Sequence, residues 1–290
     1  MASIEAPIGI FPLPDMPTAT LSGPDARRFA NGMFTNNVRD LPIGGSQRTG
    51  LTDDRGRLWA LAELHCLADD RFLLHLDGQT AEAFAERYDT YIVFDDVNVE
   101  TGSESGVSVQ GPSAADVLEQ AGLPVPGAGS HLVHGEARVV ARDRSGHGTG
   151  FDVWGPSPLV ATADASLLDA LEIAAGQVRM VDVVRPGLPH EHGLREAILH
   201  FEKGCYLGQE SIHRIDVMGN PRRGLAIVRG PGLTAGPLQA EGKDQGVVTR
   251  VAAVDGTHIG LAVLRKPHDA IGSRLTQGDV AVQVVAPTGA

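Results

Sequence analysis

One short pattern occurs twice in the chain and restricts the folds that the chain can adopt. Residues 21–26 read LSGPDA and residues 109–114 read VQGPSA, so in both places a Gly-Pro pair follows a stretch that alternates in polarity. Proline suits the first turn of a helix, where its missing N–H would have no partner in any case. Each copy therefore predicts a strand, a tight turn and a helix, and the repetition predicts two related α/β halves.

Apolar periodicity predicts the other elements of these halves. Residues 58–67 alternate, which predicts a strand, and the face that carries Leu58 and Leu64 also carries Cys66. Cys66 is therefore predicted to be an interior, structural residue. Further strands are predicted over 18–22, 71–76, 136–142 and 149–154, and helices over 80–91 and 166–175. The prolines at 7, 12, 14 and 17 predict an extended lead-in over residues 1–17.

The last part of the chain has a different pattern. From Gly224 onward, apolar runs at 225–229, 246–254, 257–264 and 280–285 are separated by turns that contain glycine or proline. No helical period appears between these runs, so this part is predicted to be a small antiparallel β-barrel. We therefore predict an α+β protein with two α/β subdomains, 1–105 and 106–213, and a C-terminal barrel over 214–290.

Charge and hydropathy limit the surfaces that the chain can offer. The formal net charge is -12, whereas a nucleic acid or an anionic membrane requires a concentrated basic patch. Direct nucleic-acid binding is not expected, although an acidic protein can still bind RNA through a local basic patch. No run of 18 apolar residues occurs, and the first residues lack the basic and apolar parts of a signal peptide. The chain is predicted to be cytoplasmic, without a membrane partner.

The spacing of cysteine and histidine predicts neither a disulfide framework nor a metal site. The two cysteines, Cys66 and Cys205, are far apart and form no Cys-x-x-Cys pair. His190 and His192 flank Glu191, but a third ligand is not evident nearby, and protein metal sites usually require three or four. No metal is therefore expected.

The stretch from Glu202 to Glu210, EKGCYLGQE, is the strongest candidate for a functional site. Gly204 and Gly208 flank Cys205, which predicts a tight and exposed turn because glycine tolerates left-handed backbone. Lys203 lies two residues before the thiol, and a nearby cation favours the reactive thiolate. A lone cysteine is also often a small buried apolar residue, so composition alone leaves both interpretations of Cys205 open.

The run Lys-Gly-Cys-Tyr-x-Gly-Gln-Glu at 203–210 resembles the signature of the YgfZ family, the folate-binding relatives of the glycine cleavage T protein. Residues 35–38 resemble the Thr-Asn-Asp-Val segment of these families, with Asn37 where Asp is usual, and residues 51–57 resemble their Leu-x-Asp-x-x-Gly-Arg hairpin. The resemblance implies three lobes around a central cleft, a folate ligand such as tetrahydrofolate, and a role in assembling or repairing iron–sulfur clusters. Through these clusters it implies a role in tRNA modification, with iron–sulfur client or assembly proteins as partners.

The resemblance also supplies the candidate site residues. Cys205 is expected to be the functional thiol, with Lys203 beside it, and Gly204, Gly208 and Gln209 form the signature turn. The expected folate contacts are Tyr88, Tyr91 and Tyr206 as walls for the ring, Arg185 or Lys203 as a cation for the glutamate tail, and Glu191 or Glu210 as acceptors at the pterin edge.

Two positions depart from the T protein. Arg185 stands where the T protein has the Glu that anchors the pterin, and Ala83 stands near the place of its catalytic Asp. A guanidinium cannot accept the N–H groups of the pterin as a carboxylate does. Three functions therefore stay open: a folate-binding accessory protein, a tetrahydrofolate-dependent aminomethyl- or methyltransferase or demethylase, and a scaffold whose cleft is vestigial.

Overall fold

An eight-stranded sheet takes up the first half of the chain in a computed structural model that describes residues 9–184, 187–219, 221–254 and 256–286. Its strands are β1 (Gly9–Ser22), β2 (Ser46–Thr52), β3 (Leu58–Ala68), β4 (Arg71–Asp77), β5 (Asn98–Gln110), β6 (His131–His134), β7 (Ala137–Ala141) and β8 (Gly150–Trp154). The helices of this part are α1 (Ala26–Met33), α2 (Ala81–Asp89), α3 (Ala114–Gln120) and α4 (Ala165–Ala174).

The order of the strands confirms the two related halves. It runs β2-β3-β4-β1-β5-β8-β7-β6, so β1 and β5 lie side by side at the centre and each is followed outward by the strands of its own half. The short helices α1 and α3 begin just after these two central strands, at the repeated Gly-Pro turns. The two halves therefore share one continuous antiparallel sheet.

The sheet curls until its two outer strands meet. An isolated bridge joins Gly45, just before β2, to Ser130, just before β6. The N–H of Ser46 donates to the carbonyl of Gly129 at 2.8 Å, and the N–H of His131 donates to the carbonyl of Gly44 at 2.7 Å. We call this meeting of residues 44–46 with residues 129–131 the seam.

An aromatic cluster fills the core of the first half. Phe34, Phe84 and Tyr88 are fully buried between the sheet and helices α1 and α2. The rings of Phe84 and Tyr88 lie 4.4 Å apart, and the ring of Phe34 meets that of Tyr88 edge-on at 5.7 Å. Large aromatic side chains bury much apolar surface, so this cluster stabilises α2 against the sheet.

The predicted C-terminal barrel is confirmed. Its strands are β9 (Arg223–Gly230), β10 (Gly236–Ala240), β11 (Lys243–Val254), β12 (Thr257–Arg265), β13 (Arg274–Gln277) and β14 (Val280–Val285), and they close in the order β10-β11-β12-β9-β14-β13. The sequence did not predict β10 and β13, because these short strands read GPLQA and RLTQ and contain few apolar residues.

Helix α4 packs against the barrel. Ile173 and Ala174 at the end of α4 pack against Ile227, Ile259 and Leu261 of the barrel. Between α4 and the signature turn lie two single 3-10 turns, Met180–Asp182 and Pro189–His192, followed by α5 (Arg195–Ile198). Helix α6 (Gln209–Met218) then leads to the barrel.

Residues 1–17 were expected to form an extended lead-in before a strand at 18–22. In the structure, strand β1 already begins at Gly9. The part of β1 before Thr18 pairs only with β5, whereas residues 18–22 also pair with β4. Because proline lacks an N–H, it is tolerated where a strand has one unpaired side. Pro12, Pro14 and Pro17 all lie in this one-sided part of the strand. The proposed borders at 105/106 and 213/214 fall within β5 and α6, and the three-part division itself stays a prediction.

Candidate functional site

The signature turn lies between α5 and α6, and its glycines adopt left-handed backbone. The φ angle is 93° at Gly204 and 80° at Gly208, and residues with a side chain rarely adopt such backbone angles. A Cβ atom on Gly208 would lie 2.4 Å from the carbonyl oxygen of Asp53 and 2.6 Å from the backbone nitrogen of Gly56. Gly208 is therefore required twice, by its φ angle and by the close approach of the hairpin between β2 and β3.

The ammonium group of Lys203, expected beside the thiol of Cys205, instead points into the interior of the protein. Its side chain is buried, and its ammonium donates to the carbonyl of Asn36 at 2.7 Å and also to that of Phe34. Burial, together with the nearby charge of Arg39, lowers the pKa of Lys203 to about 7. Lys203 therefore ties the signature turn to the loop after α1, and its donors are used in the interior.

Further hydrogen bonds fix the turn to the first half. The side chain of Asn31 donates to the carbonyl of Lys203 at 3.3 Å, and the N–H of Leu207 donates to the carbonyl of Gly32 at 3.0 Å. From the other side, the hydroxyl of Thr52 donates to the carbonyl of Leu207 at 2.8 Å. The turn is thus held by α1 and by β2, which makes it a rigid support for its one exposed thiol.

The two cysteines lie in opposite environments. Cys205 is exposed, whereas Cys66 is buried in β3, as its strand face predicts. The guanidinium of Arg27 donates to the sulfur of Cys66 at 3.3 Å, and the thiol donates to the carbonyl of Ala68 at 3.3 Å. Burial raises the pKa of the Cys66 thiol, so this cysteine is less reactive than a solvated one.

The predicted aromatic walls lie in hydrophobic cores. Tyr88 is fully buried in the cluster of the first half, and Tyr91 packs against the same cluster. Tyr206 is buried below the signature turn, together with Ile198 and Ile212. The structure therefore gives these three rings packing roles, and none of them lines the cavity described below.

The predicted polar contacts are dispersed. Glu191 accepts a hydrogen bond from the N–H of Leu188 at 3.5 Å within its 3-10 turn. Glu210 is exposed in the first turn of α6, and Gln209 is half-buried beside it. Arg185 lies outside the residues that the structure describes. The folate contacts assigned to these residues stay predictions that no observed contact supports.

A cavity of about 500 Å³ lies between the sheet, helix α4 and residues 177–179. Its walls come from both halves of the sheet, which contribute Arg48, Glu63, His75 and Trp154, while α4 contributes Glu172. Small-molecule sites are usually cavities of this size with apolar walls and a few convergent polar groups. This cavity is therefore the candidate ligand site.

Two arginines in the cavity share one carboxylate. Glu63 lies 3.3 Å from Arg48 and 3.2 Å from Arg142. Burial, and then the charge of Arg142, lowers the pKa of Arg48 to about 10. The contact of Arg142 with Glu63 is made by its Nε, and its guanidinium also lies 3.5 Å from the side-chain oxygen of Gln177. Two guanidinium groups thus face one carboxylate, so the group Arg48–Glu63–Arg142 carries a net positive charge and suits an anion.

Other walls of the cavity offer an acceptor and aromatic groups. Asp77 accepts a hydrogen bond from the N–H of Met180 at 2.8 Å, and burial raises the pKa of its carboxyl group. The rings of His75 and Trp154 are stacked on each other, with centroids 4.2 Å apart and an interplanar angle of 23°. Both residues are almost fully buried, so this aromatic pair closes one side of the cavity.

The sequence did not identify these residues, although one signal was present. Arg48 and Glu63 are directly opposite each other in the pairing of β2 with β3. Charged residues within strands that are otherwise largely buried are uncommon unless they are paired, so such residues indicate an internal ion pair or a polar cavity wall. The pairing partners could not be known from one sequence without the register of the sheet.

His190 and His192 each have a separate hydrogen-bond partner in the protein. His190 lies 3.4 Å from Asp216, and His192 accepts from the N–H of Val184 at 3.0 Å. Among residues 9–184, 187–219, 221–254 and 256–286, no three His, Cys, Asp or Glu side chains are grouped as metal ligands. Within the same residues, no helix is both long enough and apolar enough to cross a membrane.

Comparison with protein families and curated proteins gives consistent matches. Residues 2–124 match the family model GCV_T, the GCVT N-terminal domain. A protein of Serratia proteamaculans named tRNA-modifying protein YgfZ is 27% identical over 257 residues, which cover 79% of this chain and 73% of that protein. A probable aminomethyltransferase of Natronomonas pharaonis is 27% identical over 295 residues, covering 97% of this chain and 76% of the relative.

An aminomethyltransferase of Parafrankia sp. is 30% identical over 152 residues, which are 50% of this chain and only 41% of that protein's length. Among solved structures, the glycine cleavage system aminomethyltransferase T of Bartonella henselae superposes with a TM-score of 0.84 at 21% identity, covering 99% of this chain and 87% of that one. The chain thus has a GcvT-like fold, and the comparisons support a YgfZ- or GcvT-like family.

We predict that a mild thiol reagent labels Cys205 well before Cys66 in the native protein. Cys205 is exposed on the signature turn, whereas Cys66 is buried and its pKa is raised. Mass mapping after limited alkylation measures the order of labelling, and complete alkylation in denaturant is the control. Labelling of Cys66 first would reverse the assignment of the reactive thiol.

Proposed function

We propose that this YgfZ- or GcvT-like chain binds a folate in the cavity between the sheet and α4, and serves as an accessory protein in iron–sulfur cluster assembly or repair. Through such clusters it supports tRNA modification, with Cys205 as the functional thiol. The observation that carries the proposal is the cavity itself, with its positive group Arg48–Glu63–Arg142 and the aromatic pair of His75 and Trp154. The YgfZ name of the relative from Serratia proteamaculans supports the same function.

The residues that line the cavity fit the chemistry of a folate. The flat pterin ring suits a cavity that His75 and Trp154 close on one side with aromatic rings, and its N–H groups match the carboxylate of Asp77. The carboxylates of the glutamate tail match Arg48 and Arg142, which have only one carboxylate between them. A bound folate supplies a carrier for one-carbon groups.

The cations assigned to the glutamate tail are now Arg48 and Arg142 in place of Lys203. Lys203 is unavailable, because its ammonium donates to the carbonyls of Phe34 and Asn36. Arg48 and Arg142 line the cavity and pair with a single carboxylate, that of Glu63. They are therefore the better-supported partners for the tail.

Cys205 supplies a separate chemical group. An exposed thiol on a rigid turn can act as a nucleophile, a redox partner or a soft metal ligand. An iron–sulfur cluster is usually held by four thiolates, so one cysteine cannot retain a cluster alone. The role that we propose for Cys205 is a transient contact with an iron–sulfur client or assembly protein, which provides the other ligands.

The folate proposal predicts that tetrahydrofolate binds to the wild-type protein and that Arg142→Met weakens binding about 10- to 100-fold. This corresponds to the loss of a charged hydrogen bond, about 1.5–3 kcal/mol. Isothermal titration calorimetry measures the effect, with Arg71→Met, an exposed arginine outside the cavity, as the control. For 6-methyltetrahydropterin, which has the ring without the tail, Arg142→Met should change the affinity little.

The outcomes of this titration separate the parts of the proposal. Absence of tetrahydrofolate binding to the wild type would show that the cavity is not a folate site. An affinity of Arg142→Met equal to that of the wild type would place the tail elsewhere and overturn the assignment of the arginines.

The accessory role predicts that Cys205→Ser lowers the activity of an iron–sulfur tRNA-modifying enzyme in cells that depend on this chain. The substitution removes the thiol at an exposed site, so folding and tetrahydrofolate affinity should stay unchanged. Cys66→Ala is the matched control for loss of a thiol. Full activity of the cluster enzyme with Cys205→Ser would contradict the role of this cysteine.

The second candidate function is that of a tetrahydrofolate-dependent one-carbon transferase or demethylase. The names of the relatives from Natronomonas pharaonis and Parafrankia sp., an aminomethyltransferase in each case, favour it. Against it, Ala83 in α2 stands near the position expected for a catalytic Asp, and a methyl group cannot exchange protons.

We therefore predict that no aminomethyl transfer occurs above the uncatalysed rate. The assay mixes the protein with a protein-bound aminomethyl donor and tetrahydrofolate, and measures methylenetetrahydrofolate. Product that exceeds the enzyme concentration many times over, at an enzyme-like rate, would favour the transferase.

A further inference from the structure

A row of five polar side chains crosses the interior of the curled sheet. Ser46 lies between two rings, with its hydroxyl 3.0 Å from Nδ1 of His131 and 2.8 Å from Nδ1 of His65. Nε2 of His65 lies 3.0 Å from Nδ1 of His75, and Nε2 of His75 lies 2.9 Å from the carboxylate of Glu104. Four consecutive hydrogen bonds thus connect strands β6, β2, β3, β4 and β5.

The ends of this row differ from its middle in their access to solvent. His65 is 0% exposed and His75 is 1% exposed, whereas His131 keeps 4% of its surface at the seam. At the other end, 28% of the side chain of Glu104 is exposed. His75 also forms part of the cavity wall. The row therefore runs from the seam, past the cavity wall at His75, to a partly exposed carboxylate, and its two middle rings are closed to solvent.

The hydrogen positions follow from the carboxylate end. Burial alone would raise the pKa of Glu104, but hydrogen bonds from His75 and Arg138 outweigh it and lower this pKa to about 2. An ionised carboxylate only accepts, so His75 carries its hydrogen on Nε2, and Nδ1 of a neutral His75 is an acceptor. The same step gives His65 a hydrogen on Nε2 and leaves its Nδ1 as an acceptor.

Ser46 completes the assignment. Its single hydroxyl hydrogen donates to Nδ1 of His65, so its oxygen accepts from Nδ1–H of His131. With all three rings neutral, every hydrogen bond in the row points from the seam towards Glu104. Only this arrangement satisfies each of the four contacts when Glu104 is ionised.

The surrounding charges are consistent with neutral rings. Burial lowers the pKa of His65, of His75 and of His131. Arg138 of β7 adds to this, and it is itself paired with Glu104 at 2.9 Å. Glu63 of β3 and Glu104 of β5 are the carboxylates whose charges act on His75 in the opposite direction.

We propose that His131, Ser46, His65, His75 and Glu104 form a proton relay that runs from the seam, past the cavity wall at His75, to the carboxylate of Glu104. A proton from a solvent acid binds Nε2 of His131, and Nδ1–H of this ring passes to the oxygen of Ser46. Ser46 passes its hydrogen to Nδ1 of His65, Nε2–H of His65 passes to Nδ1 of His75, and Nε2–H of His75 passes to Glu104.

One proton has then entered at the seam and one has bound at the carboxylate. The solvent acid becomes its conjugate base, Glu104 becomes neutral, and each ring returns to neutrality as the opposite tautomer. Arg138 loses the charge of its partner, so the surroundings of His75 gain one positive charge. This inference does not depend on a folate as the ligand of the cavity.

The test is nitrogen-15 NMR of the histidine rings in the ligand-free protein, whose shifts identify the tautomers. At neutral pH we expect hydrogen on Nε2 of His65 and His75 and on Nδ1 of His131. On acidification, the three rings should change at one common midpoint. Ser46→Ala should separate the midpoint of His131 from that of the other two rings, whereas Ser130→Ala, which removes a neighbouring hydroxyl outside the row, should not.

The wild-type spectrum alone can overturn the proposal, even if Ser46→Ala does not fold. An opposite tautomer at any of the three rings at neutral pH would break the assigned direction. Three independent midpoints in the wild type, or an unchanged midpoint of His131 in a folded Ser46→Ala variant, would show that the groups are not coupled.

Discussion

The carboxylate of Glu172 holds together parts of the chain that are far apart in sequence. It lies 2.8 Å from Arg144 after β7, 3.3 Å from Arg179 and 2.9 Å from Arg250 in the barrel. Burial alone would raise the pKa of Glu172, but the three guanidinium groups lower it to about 2. Because a buried charge without a partner is strongly destabilising, the barrel, helix α4 and the second half are fixed relative to one another. The cavity lies beside this ionic group, between α4, the sheet and residues 177–179.

Arg250 also links this ionic group to residues 177–182, which precede the signature turn. Its guanidinium also contacts the fully buried Asp182 at 3.0 Å and donates to the carbonyl of Gln177 at 2.6 Å. Residues 177–182 therefore follow the position of the barrel, and Val178 and Arg179 of this segment line the cavity. The signature turn has a separate set of anchors on α1 and β2, in which Lys203 takes part. The cavity and the exposed thiol are thus supported by different interactions of the same body.

The sequence was sufficient for features that depend on local periodicity. The repeated Gly-Pro turns predicted two halves, and the alternation of residues 58–67 predicted the buried position of Cys66 in β3. Features that depend on tertiary pairing were not accessible. The predicted ring walls Tyr88 and Tyr206 pack in hydrophobic cores, because an aromatic side chain gains more from burial than from lining a wet cleft.

Charge placement was the least predictable property. Lys203 was expected beside the thiol of Cys205 from its spacing of two residues, but the turn directs its ammonium to the carbonyls of Phe34 and Asn36. Conversely, Arg48 and Arg142 are remote in sequence, and only the curl of the sheet brings both to Glu63. A local motif therefore located a rigid turn, whereas the candidate ligand site required the register of the strands.

The seam at Gly45 and Ser130 also affects how copies of the chain encounter each other. The outer strand of an open sheet presents free N–H and C=O groups, to which a strand of another molecule can add. Here the residues that lead into β2 and β6 use these groups on each other, through the bonds from Ser46 to Gly129 and from His131 to Gly44. The curl therefore protects this end of a long sheet from intermolecular strand addition, as ring closure does for the barrel.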